Sequence, residues 1–370
     1  MTDTRIVPIV MPKWGLSMKE GKVTGWLLDD GSKISPGDAI LEVETDKIAG
    51  SVEASDAGVL RRRVGQADTI YPVKTLLGVI ADPAVPDAEI DAYVASYVTP
   101  VAEEGEEEQG PQYEYAETSA GRLRYAKRGD GGDAVILIHG FGGDLDNWLF
   151  NIDALGEKAT VYALDLPGHG GSVKSLAHPK LSTLVDAVGS FMDVTGIVSA
   201  HLAGHSLGGA IAMQMAITHP QKVKSLTLIC SAGLGPEFSS YVDDYVAASN
   251  RKELKPVLER LFADKSLVSR QLVDDVLKYK RIDGVETVLA GLAEAVFGGQ
   301  KQHELPGAKL GPRMPPTLVI WGKEDQVIQA SHAGNLPGAK VHVLDGAGHM
   351  VFMEKAGDVN ALIKAHIAGT

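Results

Sequence analysis

The stretch Leu202-Ala203-Gly204-His205-Ser206-Leu207-Gly208-Gly209-Ala210 decides how this chain is read. It contains the pattern G-x-S-x-G, with Gly204, Ser206 and Gly208 at the fixed positions. An apolar, strand-like run, Ala200–Ala203, enters it, and a helix-like run, Gly209–Thr218, leaves it. This is the strand-turn-helix context that a nucleophile elbow requires. The serine must occupy a sharp turn with strained backbone angles, where side chains two residues away on either side would collide. Its hydroxyl then projects above a sheet, near the start of the next helix, whose dipole favours developing negative charge.

Outward from the elbow, apolar strands alternate with helical stretches. The strands are Ala134–Ile138, Thr160–Leu164, Ala200–Ala203, Val223–Ile229, 316–321 and Lys340–Leu344, preceded by a hairpin of Gln112–Thr118 and Arg122–Lys127. Such alternation predicts a parallel, doubly wound α/β sheet. His139-Gly140-Phe141-Gly142-Gly143 follows the first parallel strand, and Asp165-Leu166-Pro167-Gly168-His169-Gly170 follows the second. Trp321-Gly322-Lys323-Glu324-Asp325 leaves a later strand, and Gly346-Ala347-Gly348-His349 follows the last.

With the elbow, these motifs closely resemble the α/β-hydrolase family, from about Tyr113 to the C-terminus. The resemblance implies a helical cap inserted at about 235–306 and a triad in the chain order nucleophile, acid, histidine. Ser206 matches the nucleophile, Asp325 the acid with Glu324 as runner-up, and His349 the base. His349 would remove the Ser206 proton while Asp325 fixes its tautomer and stabilises the imidazolium. Backbone N–H groups of Phe141 and Leu207 would form the oxyanion hole. Trp148 is the candidate for a substrate wall. His205 reads as a packing or polar-contact residue, and His139 and His169 as braces for the oxyanion loops. The cap aromatics Phe238, Tyr241, Tyr245 and Phe262 suit a core as well as a pocket.

At 370 residues, two domains are expected. The net charge of −13 argues against nucleic acid or an anionic membrane as partner. Neither a secretory signal nor an apolar run long enough to span a bilayer stands out. A single cysteine, Cys230, excludes an intrachain disulfide framework and fits a reducing cytoplasm. It ends an apolar strand with no helix start or basic neighbour to activate it, and reads as a buried structural thiol. No metal-ligand pattern is present.

The first eighty residues show short β-branched runs broken by glycine turns, which predicts a small all-β domain over 1–82. A weak repeat relates Thr24-Gly25-Trp26-Leu27 to Ala57-Gly58-Val59-Leu60, and Ile40-Leu41-Glu42-Val43 to Leu76-Leu77-Gly78-Val79. Two similar sheets packed about a pseudo-twofold follow. Between the halves, Glu44-Thr45-Asp46-Lys47 puts Lys47 at a hairpin tip. MPKWGLSMKEGKVTGWL, GDAILEVETDK and the second-half G-V-L closely resemble the lipoyl (biotinyl-lipoyl) domain of 2-oxo acid dehydrogenase complexes. That resemblance implies lipoic acid in amide linkage on Lys47. Ile48 departs from the small residue common beside it.

Residues 83–111 form an acidic, proline-bracketed linker before the hydrolase-like region 112–370. Five glutamates between 103 and 108 keep it extended. Within it, Ile90, Tyr93, Val94, Tyr97 and Val98 share one face of a short helix, predicted to dock on the hydrolase domain or on a partner subunit. No peripheral-subunit-binding domain is recognisable.

A lipoyl carrier fused to a serine-hydrolase fold resembles the acyltransferase components of acetoin dehydrogenase complexes. The resemblance implies transfer of acetyl to coenzyme A, partnership with thiamine-diphosphate-dependent dehydrogenase subunits and dihydrolipoyl dehydrogenase, a cytoplasmic location and a homo-oligomer. Two alternatives stay open: a serine hydrolase tethered to a carrier, and a non-catalytic scaffold. Lys47→Arg keeps the charge but removes the acylatable amine, so turnover of the reconstituted complex should vanish while folding persists. Normal turnover by that variant contradicts the carrier assignment.

Overall fold

The computed structural model describes residues 5–12, 18–45, 49–54, 56–100, 113–176, 178–311 and 314–370. The chain divides into two compact units, 1–112 and 113–370.

The first unit is built from eight strands: β1 (Ile6–Val10), β2 (Glu20–Trp26), β3 (Lys33–Ile34), β4 (Ala39–Glu44), β5 (Ala49–Glu53), β6 (Gly58–Arg63), β7 (Thr69–Pro72) and β8 (Leu76–Ala81). They form two antiparallel sheets of order β1-β8-β6-β3 and β5-β4-β2-β7. The sequence repeat maps position for position onto these orders, since its first element lies on β2 and β6 and its second on β4 and β8. Ile9, Val23, Leu41, Val43, Leu60, Leu77 and Ile80 from both sheets form one buried core. β4 pairs with β5 with Glu44 opposite Ala49. Lys47 lies between these partners in the chain and outside the described residues.

Helix α1 (Asp87–Ser96) begins after Pro86 and carries Asp87 and Glu89 in its first turn, where the helix dipole favours acids. Its apolar face finds cover on the β-unit itself, which corrects the expectation of docking elsewhere, and Val98 at the end of that face is 77% exposed. Ile90 is fully buried in a cluster with Ile6, Leu76, Val79, Ala81 and Val85, and Tyr93, Val94 and Tyr97 pack on that cluster. Arg61 reaches Asp87 at 2.7 Å and Arg62 reaches Asp91 at 2.9 Å. These pairs are largely exposed and contribute little; the apolar contact holds the helix. Residues 87–97 therefore belong to the β-unit.

The second unit has one eight-stranded sheet of order β16-β15-β14-β13-β11-β12-β10-β9. Its strands are β9 (Tyr113–Thr118), β10 (Gly121–Arg128), β11 (Ala134–Ile138), β12 (Thr160–Leu164), β13 (Ala200–His205), β14 (Val223–Ile229), β15 (Thr317–Gly322) and β16 (Lys340–Leu344). β11 to β16 are parallel, and β9 and β10 are antiparallel. The winding reverses around β11, which has β12 on one side and β13 on the other. Ligands bind at the carboxyl ends of strands near such a reversal. Helices α2 (Ile152–Gly156), α3 (Leu181–Val194) and α4 (Leu207–Thr218) come before β14 and after the first parallel strands.

Between β14 and β15 come α5 (Tyr241–Ala247), α6 (Arg251–Leu258), α7 (Arg270–Lys280) and α8 (Val285–Phe297). The base of this insertion is zipped by a bridge between Glu237 and Lys301, and Gln302 accepts the N–H of Gly233. Helices α9 (Val351–Glu354) and α10 (Ala356–Ala368) end the chain. No helix among the described residues is long and apolar enough to cross a membrane.

Because Ile90 is sealed inside the β-unit, Ile90→Ala should destabilise that unit by about 2–4 kcal/mol. Calorimetry of the full chain reads this as a lowered first transition, with co-purification of other subunits unchanged. An unchanged transition together with lost co-purification would restore a partner-docking face.

Candidate active site

Every feature singled out around the elbow lies at the carboxyl end of a parallel strand. Ser206 follows β13, and its backbone sits at φ +51°, ψ −117°, a conformation that non-glycine residues adopt only under strain. Neighbouring backbone forces that turn. A β-carbon at Gly204 would overlap the carbonyl of Gly208, and one at Gly208 would overlap the carbonyl of Ile138. Ser206 N–H donates to Ile229 O at 3.0 Å, and Ser206 O accepts from Gly209 N–H at 2.9 Å and Ala232 N–H at 3.0 Å. Leu207 opens α4, where the first N–H groups of a helix have no intrahelical acceptor.

The loop after β11 presses against this turn. Gly140 lies so close that a β-carbon on it would reach 3.0 Å from Cβ of Ser206. Phe141, beside it, is buried edge-on to His169, Tyr245 and Phe297 at 5.8–6.4 Å between ring centres. Two cap tyrosines hold the loops from above. Tyr245 on α5 donates to Gly142 O at 3.3 Å, and Tyr279 on α7 donates to Gly168 O at 2.7 Å.

His139 braces the loops from below, as its place in the motif suggests. Its Nδ1–H donates to Gly140 O at 2.7 Å, and its Nε2 accepts from Leu166 N–H at 3.0 Å. A proton on Nε2 would face that N–H, and burial opposes the charge, so the His139 pKa is pushed down to about 4. His169 packs 4.9 Å from it and donates to Pro167 O. Burial, followed by the neighbouring His139, pushes its pKa down to about 3. Asp165 fastens the same region: it accepts from Leu145 N–H at 2.7 Å and from Gly171 N–H, and it pairs with Arg124.

The remaining members arrive on two loops. His349 is 2% exposed on its side chain, and its Nδ1–H donates to Oδ2 of Asp325 at 2.8 Å. The other carboxylate oxygen of Asp325 accepts from Val327 N–H at 2.8 Å and Ile328 N–H at 3.0 Å. Glu324 does not face the imidazole; its carboxylate accepts from Ala347 N–H at 3.0 Å. His205 joins this group to the elbow. Its ring lies 4.6 Å from the His349 ring, and its Nε2–H donates to His349 O at 3.0 Å.

Asp325 and His349 are thus bonded to each other, and the loop bearing Phe141 presses on the turn that carries Ser206 and Leu207. Trp148 does not join them: it is fully buried against Phe352 at 4.5 Å and presents no surface to a substrate. The four cap aromatics Phe238, Tyr241, Tyr245 and Phe262 are all buried. One supporting residue carried no signal in the sequence. Glu354 accepts from Gly348 N–H at 2.7 Å and Ala263 N–H at 2.8 Å, joining the histidine loop to the cap.

Residues 133–356 match the family model described as alpha/beta hydrolase fold, and residues 7–79 match the model described as biotin-requiring enzyme. A dihydrolipoyllysine-residue acetyltransferase component of an acetoin cleaving system from Cupriavidus necator is 54% identical over 98% of both chains. Its namesake from Pseudomonas putida is 47% identical over 98% of this chain and 99% of the relative. The chain belongs to this acetyltransferase family. Among solved structures, a meta-cleavage product hydrolase from Pseudomonas fluorescens shares the fold, with a TM-score of 0.64 at 23% identity over 69% of this chain and 97% of that one.

The buried histidines give this unit a pH dependence of definite sign. Between about pH 6.5 and pH 4 the unfolded chain binds protons at His139 and His169 that the folded chain refuses, so stability falls as pH falls. Urea melts should show the hydrolase unit weakening steadily over that interval. His139→Gln should start lower at pH 7 and lose stability with a shallower slope; an unchanged slope contradicts the neutral-histidine account.

Proposed function

We propose that Ser206, His349 and Asp325 are the catalytic triad by which this acetyltransferase moves the acetyl group. The observation that carries the reading is the 2.8 Å bond from His349 Nδ1–H to a buried, doubly amide-anchored Asp325, beside a serine held on a left-handed turn. That bond leaves Nε2 of His349 as the free base. His349 takes the Ser206 proton as the hydroxyl attacks a thioester carbonyl. The N–H groups of Phe141 and Leu207 receive the developing oxyanion. His349 returns the proton to the departing thiolate; the same imidazole then deprotonates the thiol of coenzyme A, whose sulfur attacks the acetyl-serine carbonyl, and gives that proton back to the Ser206 oxygen as acetyl-CoA leaves.

Lys47 is the attachment point proposed for lipoic acid. A primary amine is what an amide link to the lipoyl carboxyl requires, and β4 and β5 hold the flanking residues in register. When attached, that group supplies a thiol that bears acetyl as a thioester. The partners of such a carrier would be thiamine-diphosphate-dependent subunits and dihydrolipoyl dehydrogenase of an acetoin-cleaving assembly.

Water is the competitor of coenzyme A. A well-held thiol reaches an effective molarity of roughly 10⁵ M, against about 55 M for water, so transfer prevails where the thiol is positioned. With acetyl-dihydrolipoamide and coenzyme A, the expected product is acetyl-CoA. Ser206→Ala should lower its rate by about 10³-fold or more, His349→Ala by nearly as much, and Asp325→Asn by less. Acetate as the main product supports a hydrolase instead. Acetyl-CoA formation that survives Ser206→Ala removes the serine from the path.

A further inference from the structure

Cys230 follows β14 with a φ of +42°, in the left-handed region that a residue bearing a β-carbon occupies only under strain. Three bonds to neighbouring strands and the elbow hold the turn there. Cys230 N–H donates to Ile320 O at 2.9 Å, Ala232 N–H to Ser206 O at 3.0 Å, and Ser206 N–H to Ile229 O at 3.0 Å. The strained turn sends the thiol between the two loops that deliver Asp325 and His349. Its sulfur accepts from Gly322 N–H at 3.5 Å, and its S–H faces Gly348 O at 3.8 Å. Gly322 lies three residues before the acid, and Gly348 immediately before the histidine. The two loops touch at this point, where a β-carbon on Gly322 would overlap the Gly348 carbonyl. Cys230 Sγ, a carboxylate oxygen of Asp325 and a ring nitrogen of His349 lie within 4.8 Å of one another.

The thiol is fully buried, so substrate does not reach it. Burial, followed by the nearby charge of Asp325, pushes its pKa well above the ordinary thiol value. It therefore stays protonated, and its one S–H is the donor toward Gly348 O.

We propose that Cys230 is a positioning residue for the transfer reaction: by accepting from Gly322 N–H and donating to Gly348 O its sulfur clamps the acid loop to the histidine loop, and so sets the approach of Asp325 to His349 Nδ1. The proposal rests on the triad reading of Ser206, His349 and Asp325. It differs from a packing role in what it predicts for the Asp325–His349 bond.

The test compares Cys230→Ala and Cys230→Ser in the full chain. Alanine keeps the β-carbon, and with it the backbone strain, while losing the donor and the acceptor; serine restores both over a shorter reach. Cys230→Ala should transfer acetyl from acetyl-dihydrolipoamide to coenzyme A about three- to tenfold more slowly, at unchanged KM, the cost of losing both weak sulfur hydrogen bonds. The downfield proton resonance of the His349 Nδ1–H, read in the resting protein, should move in Cys230→Ala and return toward the parent position in Cys230→Ser, with most of the rate. A Cys230→Ala variant within about twofold of the parent rate and with an unmoved resonance overturns the proposal, as does a serine variant no better than alanine. Ser206→Ala, run alongside, separates the two questions. Acetyl transfer that survives in it defeats the triad reading, whereas the proton resonance belongs to the resting acid–base pair and judges the clamp by itself.

Discussion

The left-handed turn at Ser206 is the constraint on which the hydrolase unit is arranged. A non-glycine residue in such a conformation costs on the order of 1–3 kcal/mol and persists only where its surroundings over-determine it. Here they do. The backbone of α4 lies against Gly204, the carbonyls ending β11 lie against Gly208, and the loop after β14 ties off the serine carbonyl through Ala232. None of these contacts leaves room for a side chain. The glycine spacing is therefore a consequence of backbone packing, and the placing of the serine at the tip of the turn is its product. With the serine fixed, the parallel sheet brings the other parts to it, because each of them is carried at the same end of its own strand.

A second layer of buried polar groups holds those parts in place, and nearly all of it works through backbone amides. Asp165 accepts from Leu145 and Gly171, Glu354 from Gly348 and Ala263, and His139 spans Gly140 and Leu166. Buried acceptors of this kind are costly to leave unpaired, so each fixes one loop against another. Asp165 with Arg124 is the deepest charged example. Such a pair is weak evidence for stability, yet removing one partner leaves an uncompensated charge, which makes it a strict determinant of loop position.

The sequence made legible whatever chemistry ties to a residue type. Strand alternation gave β11 to β16 nearly to their ends, the weak repeat gave the two matching sheets, and the family's usual offset pointed to Asp325 over Glu324, the carboxylate that His349 meets. Tertiary choices among equivalent partners were not legible. The periodicity of Ile90, Tyr93 and Tyr97 requires an apolar cover but says nothing of which surface provides it, and the cover proves to be the β-unit itself. Trp148 reads equally well as a pocket wall or as core, and packing against Phe352 decides for core. Glu354 and Cys230 act on backbone groups or on one another's neighbours across the fold, so no spacing announces them.

The account joins a strained serine, a buried acid–histidine pair and a carrier into one transfer path through an acetylated serine. Rapid mixing with acetyl-dihydrolipoamide, acid quenching and mass analysis of the peptide containing Ser206 tests it most directly. The account predicts an acetyl group on Ser206 that forms before acetyl-CoA appears and disappears faster with coenzyme A than with buffer alone. Acetyl-CoA accumulating at full rate while that peptide stays unmodified would contradict it.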